Sequence, residues 1–224
     1  MAGMDEIVPV ENETLGQRVY AQLREMLIAG QFAPGENLTL RTIARAIGTS
    51  PMPVRDALRQ LMVDQAIELL PNRAFRVPLM SRERFVELRD IRLQVEGMAA
   101  ERAAIKASDA EIKEAEQAAQ SFDRECRGNR DPGKLILFNK SLHFAVYRAS
   151  RMPALMQIIE GLWSQIGPVL NLDIRGGSQR ISNMTPCEFH SRLVQALRDK
   201  DPVGARAALT ADIVSAAEDI LRVI

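Results

Sequence analysis

The chain has 224 residues, of which 46% are apolar and 26% are charged, a composition ordinary for a soluble globular protein with one large domain or two small ones. Lysine plus arginine equals aspartate plus glutamate at 29 each, which argues against a protein that coats polyanions but leaves room for a sequence-specific binder with one local basic face. Aromatic residues make up only 4%, which disfavours a platform for stacking single-stranded bases.

Residues 1–12 lack periodicity and are expected to form a loose arm. A helix is predicted from Leu15, because apolar residues recur at three- and four-residue steps until Gly30 ends the pattern. Pro34 and Gly35 then predict a turn.

Residues 39–61 predict two short helices separated by a tight break, which is the pattern of a helix-turn-helix. Gly48 is expected to end the first helix, and Ser50 is expected to offer an N-cap oxygen to the second. Pro51 and Pro53 occupy first-turn positions, where a missing N–H costs least. An ordinary helical hairpin with solvated arginines would show the same periodicity.

The second of these helices carries two arginines that bear on the choice between the two interpretations. If Val54, Leu58 and Leu61 are buried, Arg55 and Arg59 lie one turn apart and face outward together. Two exposed guanidinium groups on such a helix suit guanine edges and phosphates. The spacing therefore favours DNA binding over a plain hairpin.

Two short strand-like runs follow, at residues 67–70 and 75–77, joined by residues 71–74. A helix, a helix-turn-helix and a two-stranded ribbon together predict a winged helix. Asn72 and Arg73 would lie at the wing tip, facing a phosphate or the minor groove. Pro78 closes the unit, so residues 13–78 form the predicted DNA-binding domain.

Residues 79–224 are predicted to be all-helical, and a body of this size can bury its own core. Helix starts are marked by Ser81, by Ser108 in a capping box with Glu111, and by Asp201, which precedes a proline. Further helices are expected at about residues 134–150, 153–172 and 186–198, and a flexible connection at residues 173–184. The predicted fold is therefore mainly α: an N-terminal winged helix-turn-helix with a small β-ribbon, followed by an all-α helical bundle.

Cysteine usage and hydropathy indicate the compartment. Cys126 and Cys187 have no metal-type spacing and no secretory leader precedes them, which predicts two free thiols in a reducing environment. No apolar run approaches the length needed to span a bilayer. We therefore expect a cytoplasmic protein without a membrane partner.

The predicted DNA-binding domain carries a recognisable set of residues. The set comprises Val19-Tyr20, Leu23-Arg24, Gly30, Pro34-Gly35, Leu38, Ala44, Gly48, Ser50, Leu61 and the string Pro53-Val54-Arg55-Asp56-Ala57-Leu58. In these positions the chain resembles the GntR superfamily of bacterial transcription regulators, over about residues 14–78. The resemblance implies DNA contacts at Arg41, Ser50, Arg55 and the wing tip.

The body resembles the FCD effector domain of the FadR-like branch of that superfamily. The residues that carry this resemblance are Arg92 with Glu96, His143, Glu188 near His190, and Asp201. Together the two resemblances imply a homodimer that binds a pseudo-palindromic operator on double-stranded DNA. They also imply a small organic-acid effector that changes the affinity for that operator.

The predicted DNA-binding domain departs from the family pattern at two places. The family usually has arginine and threonine between the serine and the proline, where this chain has Pro51 and Met52, so a bidentate base contact worth about 1–3 kcal/mol of discrimination is lost. Ala74 replaces the usual wing glycine and tolerates a positive φ less well. The DNA-binding candidates are Arg41, Ser50, Met52, Arg55, Arg59, Asn72 and Arg73.

The two histidines of the chain, His143 and His190, lie on apolar stripes of their predicted helices, as does Asp212 on the last helix. A carboxylate on an apolar face needs a partner, because burying it bare is costly. If Asn139 converges with these three, two nitrogens and two oxygens could hold a divalent metal ion such as Zn, Mn, Mg or Ni.

The resemblance also bears on which metal would bind. Metal-binding members of the family usually have aspartate at the position of Asn139 and a third histidine at that of Asp212, so this chain favours a harder ion than zinc. The alternatives are a metal-free hydrogen-bond network and unrelated core histidines.

Arg92 interrupts the apolar stripe of its predicted helix. Glu96, one turn on, could simply pair with it, a contact worth about 0.2–0.5 kcal/mol if exposed. If the stripe is buried, the guanidinium fork is also available for a carboxylate ligand, the role that the resemblance favours. The effector-binding candidates are Arg92, Glu96, Asn139, His143 and His190, and the metal-binding candidates are Asn139, His143, His190 and Asp212.

The predicted function is a ligand-responsive transcription regulator and not an enzyme. An enzyme would need a positioned general base or nucleophile beside the metal, and Glu188 is the only nearby carboxylate to nominate. The alternatives are a metal-dependent helical enzyme whose N-terminal domain serves for docking, and a constitutive DNA-binding dimer whose pocket has lost its ligand.

Overall fold

The computed structural model describes residues 14–71 and 73–224, so the predicted arm at residues 1–12 and the wing-tip residue Asn72 lie outside it. The described chain is mainly α-helical, with three short strands near its start, as the sequence predicts. In chain order the elements are α1 (Leu15–Ile28), β1 (Asn37–Leu38), α2 (Leu40–Ile47), α3 (Pro51–Val63), β2 (Glu68–Leu69), β3 (Phe75–Arg76), α4 (Arg82–Lys106), α5 (Asp109–Arg127), α6 (Pro132–Ala149), α7 (Pro153–Arg175), α8 (Gln179–Ser182), α9 (Thr185–Arg198) and α10 (Pro202–Ile220).

Most helix ends lie where local signals in the sequence place them. The predicted capping box opens α5, because Glu111 accepts a hydrogen bond from the Ser108 backbone N–H at 2.9 Å and the Ser108 hydroxyl accepts one from the Glu111 N–H. Gly48 ends α2 in the left-handed conformation, with φ 74°. Ser50 is the N-cap residue of α3, as predicted, but its side chain does not accept the expected capping hydrogen bond. Pro53, at the third helical position, has no N–H to donate to it.

The described residues up to position 78 (14–71 and 73–78) form a winged helix-turn-helix, which we call the head. Val54, Leu58 and Leu61 are fully buried against α1 and α2. The wing has three strands rather than the predicted two, in the order β1-β3-β2 with antiparallel pairing throughout. The strand that was not predicted is β1, whose residues Asn37 and Leu38 pair with Arg76 and Phe75, so it depends on a partner that is distant in the sequence. In the described part of the wing turn, Arg73 is left-handed, with φ 63°, and the alanine at position 74 has no positive φ.

Helices α4 to α10 form the body, whose core is built from the apolar stripes of α4, α5, α6, α7, α9 and α10. The flexible connection predicted at residues 173–184 was wrong. Helix α7 continues to Arg175, and the short helix α8 follows it. Ile181 is buried with Phe122 and Leu135, and this packing holds a segment that local sequence signals left without structure.

The head docks on the body through α1. Ile28, at the end of α1, belongs to the body core. Gly167 of α7 lies so close that a Cβ there would overlap the Leu27 carbonyl oxygen and lie 2.9 Å from Cα of Ile28. Ion pairs from Arg24 to Glu160 and from Lys140 to Glu25 flank this contact. The position of the head therefore depends on direct packing against α6 and α7 as well as on the chain that joins it to α4.

The described helices include none that is both long and apolar enough to cross a membrane. Cys126 and Cys187 are free thiols, as their spacing predicts.

Candidate functional site

The head presents unpaired arginines at its surface. Arg55 and Arg59 are exposed on α3 because the opposite side of that helix is buried, and Arg41 is exposed on α2. Across the described chain, no ion pair or hydrogen bond occupies any of these three guanidinium groups. Ser50, Met52 and Arg73 are also exposed, and Met52 retains 59% of its free surface. All the DNA-binding candidates that the structure describes are therefore accessible to a partner.

The second candidate site is a cavity of about 40 Å³ inside the body, beside the end of α1. Its walls come from all seven helices of the body, α4 to α10, and Ile28 of α1 closes one side. A buried water needs roughly 10–15 Å³ of such space, so the cavity has room for only a few non-hydrogen atoms.

A buried hydrogen-bond network centred on Glu96 forms one side of this site. Arg92 pairs with Glu96 through Nε to Oε1 at 2.5 Å and Nη2 to Oε2 at 3.2 Å, and Trp163 Nε1 donates to Oε1 at 3.1 Å. The Tyr147 hydroxyl donates to Glu96 Oε2 in a short contact. Burial raises the pKa of Tyr147 well above its ordinary value and the Glu96 charge adds to the shift, so the phenol keeps its proton. The Arg92–Glu96 pair is buried, so the stabilisation of about 0.2–0.5 kcal/mol expected for an exposed helical ion pair does not apply to it.

The tautomer of His143 follows from this network. Its Nδ1 lies 2.9 Å from the Tyr147 hydroxyl oxygen. Because the single hydroxyl proton already goes to Glu96, Nδ1 must carry a proton and donate. In a neutral ring the opposite atom, Nε2, is then a bare lone pair, and it lies 3.1 Å from Asp212 Oδ2. Two lone pairs at this distance repel unless a cation, either a proton or a metal ion, lies between them.

His190 adds a third donor atom to the same point. Its Nε2 is 3.7 Å from Asp212 Oδ2, too long for a hydrogen bond, and within the described chain neither of its ring nitrogens has a hydrogen-bond partner. Burial lowers the pKa of His190, which favours the neutral ring. The ligand atoms of His143, His190 and Asp212 all lie within 4.8 Å of one another.

Asp212 is held as a carboxylate by the groups around it. Burial alone would raise its pKa, but the adjacent imidazoles of His143 and His190 and the charge of Arg180 outweigh burial and hold the pKa well below its ordinary value. Arg180 donates from Nη2 to Asp212 Oδ1 at 2.7 Å and from Nε to Ser215 at 2.9 Å. Sequence reasoning missed Arg180, because it treated the segment that holds it as a loop.

The structure therefore brings together three of the four metal-binding candidates. Asn139 lines the same cavity but, in the part of the chain that the structure describes, makes no hydrogen bond to His143, His190 or Asp212. Arg92 also lines the cavity, although its guanidinium is already paired with Glu96.

Models of two known protein families match the chain. The model of bacterial regulatory proteins of the gntR family matches residues 15–77, and the model of the FCD domain matches residues 87–215. The chain belongs to the GntR family of bacterial regulatory proteins. It is a transcription regulator of that family with an FCD domain, and not an enzyme.

Individual GntR-family proteins are similar over most of the chain. The HTH-type transcriptional regulator McbR of Escherichia coli is 28% identical over 89% of this chain and 90% of its own length. A probable D-xylose utilization operon transcriptional repressor of Paenarthrobacter nicotinovorans is 28% identical over 86% of this chain and 84% of its own. The solved structure of E. coli McbR matches with a TM-score of 0.85, covering 94% of this chain and 98% of that one. A putative GntR regulator from Rhodococcus, 21% identical with a TM-score of 0.72, shares the fold.

Proposed function

We propose that the chain binds a pseudo-palindromic operator as a homodimer in the cytoplasm, and that a small carboxylate in the FCD cavity changes its affinity for that operator. The observation that carries the proposal is the coexistence of two features. Unpaired arginines lie exposed on α2 and α3, and a cavity lined in part by charged side chains reaches α1, the helix through which the head docks on the body.

Operator recognition is proposed to rest on Arg55, with Arg59 beside it. A bidentate arginine–guanine contact is worth about 1–3 kcal/mol, so Arg55→Ala should weaken binding to a selected operator by roughly 5- to 150-fold at fixed salt. Arg102→Ala, which removes an exposed arginine from the body, is the matched control and should bind as the wild type does. Wild-type affinity in Arg55→Ala would remove α3 from the DNA interface.

The cavity favours an anion of few atoms. Arg92, Lys140 and Arg180 line it with positive charge, against the carboxylates of Asp173 and Asp212. Its volume of about 40 Å³ fits a short-chain acid better than a sugar or a nucleotide.

A divalent metal ion is proposed to occupy the point where His143, His190 and Asp212 meet. The donor set fits, since it offers two imidazole nitrogens and one carboxylate oxygen. The Nδ1–H of His143 donates to Tyr147, which is the outer-shell arrangement typical of ligating histidines. Bound there, the ion would supply a positive centre for an acid to coordinate. Zinc, manganese, magnesium and nickel are the candidates, and Asn139, which lines the same cavity, stays a candidate for a further oxygen ligand.

Homodimerisation is proposed to use α4. GntR regulators typically act as dimers. Ile91, Met98 and Ile105 of α4 are 39%, 42% and 52% exposed and lie seven residues apart, the repeat of a helix seam. In an antiparallel crossing centred on Met98, Ile91 would face Ile105 of the partner subunit. Asp90 would then face Lys106 of the partner subunit, an opposite charge.

One experiment separates this proposal from a constitutive DNA-binding dimer. The purified protein would be used to select its operator from random duplex DNA, and footprinting would then follow with and without short-chain acids at constant ionic strength. A protection constant that changes with one acid supports ligand control. Protection that no acid alters, together with a thermal stability that no acid raises, would favour the constitutive dimer.

A further inference from the structure

We propose that Lys140 is the residue through which an anion in the cavity acts on the head, by taking its ammonium group away from Glu25 of α1. The inference rests on the proposed carboxylate effector and goes beyond it, because it assigns the charge that the effector meets and the contact that it breaks.

The three cations that line the cavity differ in what holds them. Arg92 is paired with Glu96, whose side chain is fully buried, and Arg180 is paired with Asp212, whose side chain is 9% exposed. A buried carboxylate deprived of its cation pays a large desolvation cost, so these two pairs resist exchange. They hold the wall of the cavity in place.

Lys140 is held differently. Its side chain is 19% exposed and lines the cavity, yet its partner Glu25 lies outside the cavity and is 59% exposed. Water can solvate Glu25 as soon as the pair opens, so this pair costs little to break. An incoming anion therefore exchanges with Glu25 more readily than with Glu96 or Asp212.

Breaking this pair acts on the head directly. Glu25 belongs to α1 and lies two and three residues before Leu27 and Ile28, which pack on Gly167. Ile28 also closes the cavity. An anion on Lys140 thus removes one of the two ion pairs that flank the α1 contact and leaves the pair of Arg24 with Glu160 in place. The head is loosened on one side only, which changes its orientation relative to the body.

If the anion and Glu25 compete for the Lys140 ammonium group, a prediction follows that does not hold for a purely structural ion pair. Removing Lys140 and removing Glu25 must change anion affinity in opposite directions. Lys140→Met keeps the aliphatic stem and should weaken anion binding at least tenfold. Glu25→Gln removes the competitor and should tighten binding about two- to fivefold, the range expected for a partly exposed pair.

The experiment is isothermal titration of the full chain with potassium acetate, pyruvate, succinate and phosphate against matched potassium chloride. Lys134→Met is the control for charge on α6, and Glu160→Gln is the control for an ion pair to α1. Both controls should bind the anions as the wild type does. If phosphate binds and the carboxylates do not, the cavity is an anion site with a different natural ligand. Lys140→Met should then weaken phosphate binding and Glu25→Gln should tighten it.

Hydrogen exchange gives the second readout. The bound anion should speed exchange of the α1 amides in the wild type, and in Glu25→Gln exchange should already be fast and unchanged by the anion. Glu25→Gln that binds no tighter than the wild type, or Lys140→Met that binds equally well, would overturn this inference alone. A wild type that binds none of the four anions would overturn the proposed effector class as well.

Discussion

The contact between Gly167 and the end of α1 offers a sharp test of how the head is held. Gly167→Ala places a methyl group onto the Leu27 carbonyl oxygen and 2.9 Å from Cα of Ile28. Both are backbone atoms, so no side-chain rotation can relieve the overlap. Helix α1 must move away from α7.

The magnitude follows from a comparison within the same helix. Gly161 also lies in α7, and a Cβ there would meet nothing within 4 Å. Alanine gains about 1 kcal/mol over glycine in a helix interior, so Gly161→Ala should be stabilising. Gly167→Ala receives the same gain but pays about 1–3 kcal/mol for overpacking. The two variants should therefore differ by about 1–3 kcal/mol, or roughly 2–12 °C in Tm for a chain of this length.

Thermal unfolding followed by circular dichroism measures this difference in stability, and hydrogen exchange shows which part of the structure it affects. Exchange should rise along α1 in Gly167→Ala and remain at the wild-type rate in Gly161→Ala. A Gly167→Ala protein that melts at or above the temperature of Gly161→Ala would refute the close packing of α1 on α7.

Three further variants test the remaining sites. Arg92→Met leaves Glu96 as a buried carboxylate without its cation, so the free energy of unfolding, measured in urea, should fall by about 3–5 kcal/mol. The double variant Arg92→Met with Glu96→Gln should lose less stability, and a double variant less stable than Arg92→Met would contradict this reasoning. Met98→Arg should sediment as a monomer while Ile158→Arg, an exposed apolar site on α7, behaves as the wild type; a Met98→Arg dimer would exclude α4 from the interface. Asp212→Asn should abolish the rise in Tm that zinc or manganese chloride gives the wild type, and an equal rise in both proteins would place the ion elsewhere.

The overall class and many helix ends were predictable from the sequence because they depend on local chemistry. A capping box at Ser108, a glycine after α2 and a three- to four-residue apolar repeat each act within a few residues of chain. The outward direction of Arg55 and Arg59 likewise follows from helical geometry once the opposite face is buried. The family resemblance found in these residues is confirmed by both family models.

The sequence was sufficient to propose the two histidines and Asp212 as candidates, but not to predict that their side chains lie close together. Each lies on its own helix, and only the packing of α6, α9 and α10 brings their ligand atoms within 4.8 Å. Arg180 could not be found at all, since its segment becomes a helix only when Ile181 is buried against other elements. The DNA, effector and metal roles of the candidate residues stay predictions.

Local propensity thus determined that this chain forms a winged helix-turn-helix and a helical body, because caps and periodicity act between neighbours in sequence. Tertiary structure decided how the two parts touch. The fit of Gly167 under α1 and the pairing of Lys140 with Glu25 join residues more than 100 positions apart, between which no periodicity or turn signal can act. Those contacts depend on the shapes of packed surfaces, and they place the effector cavity beside the helix that positions the DNA-binding head.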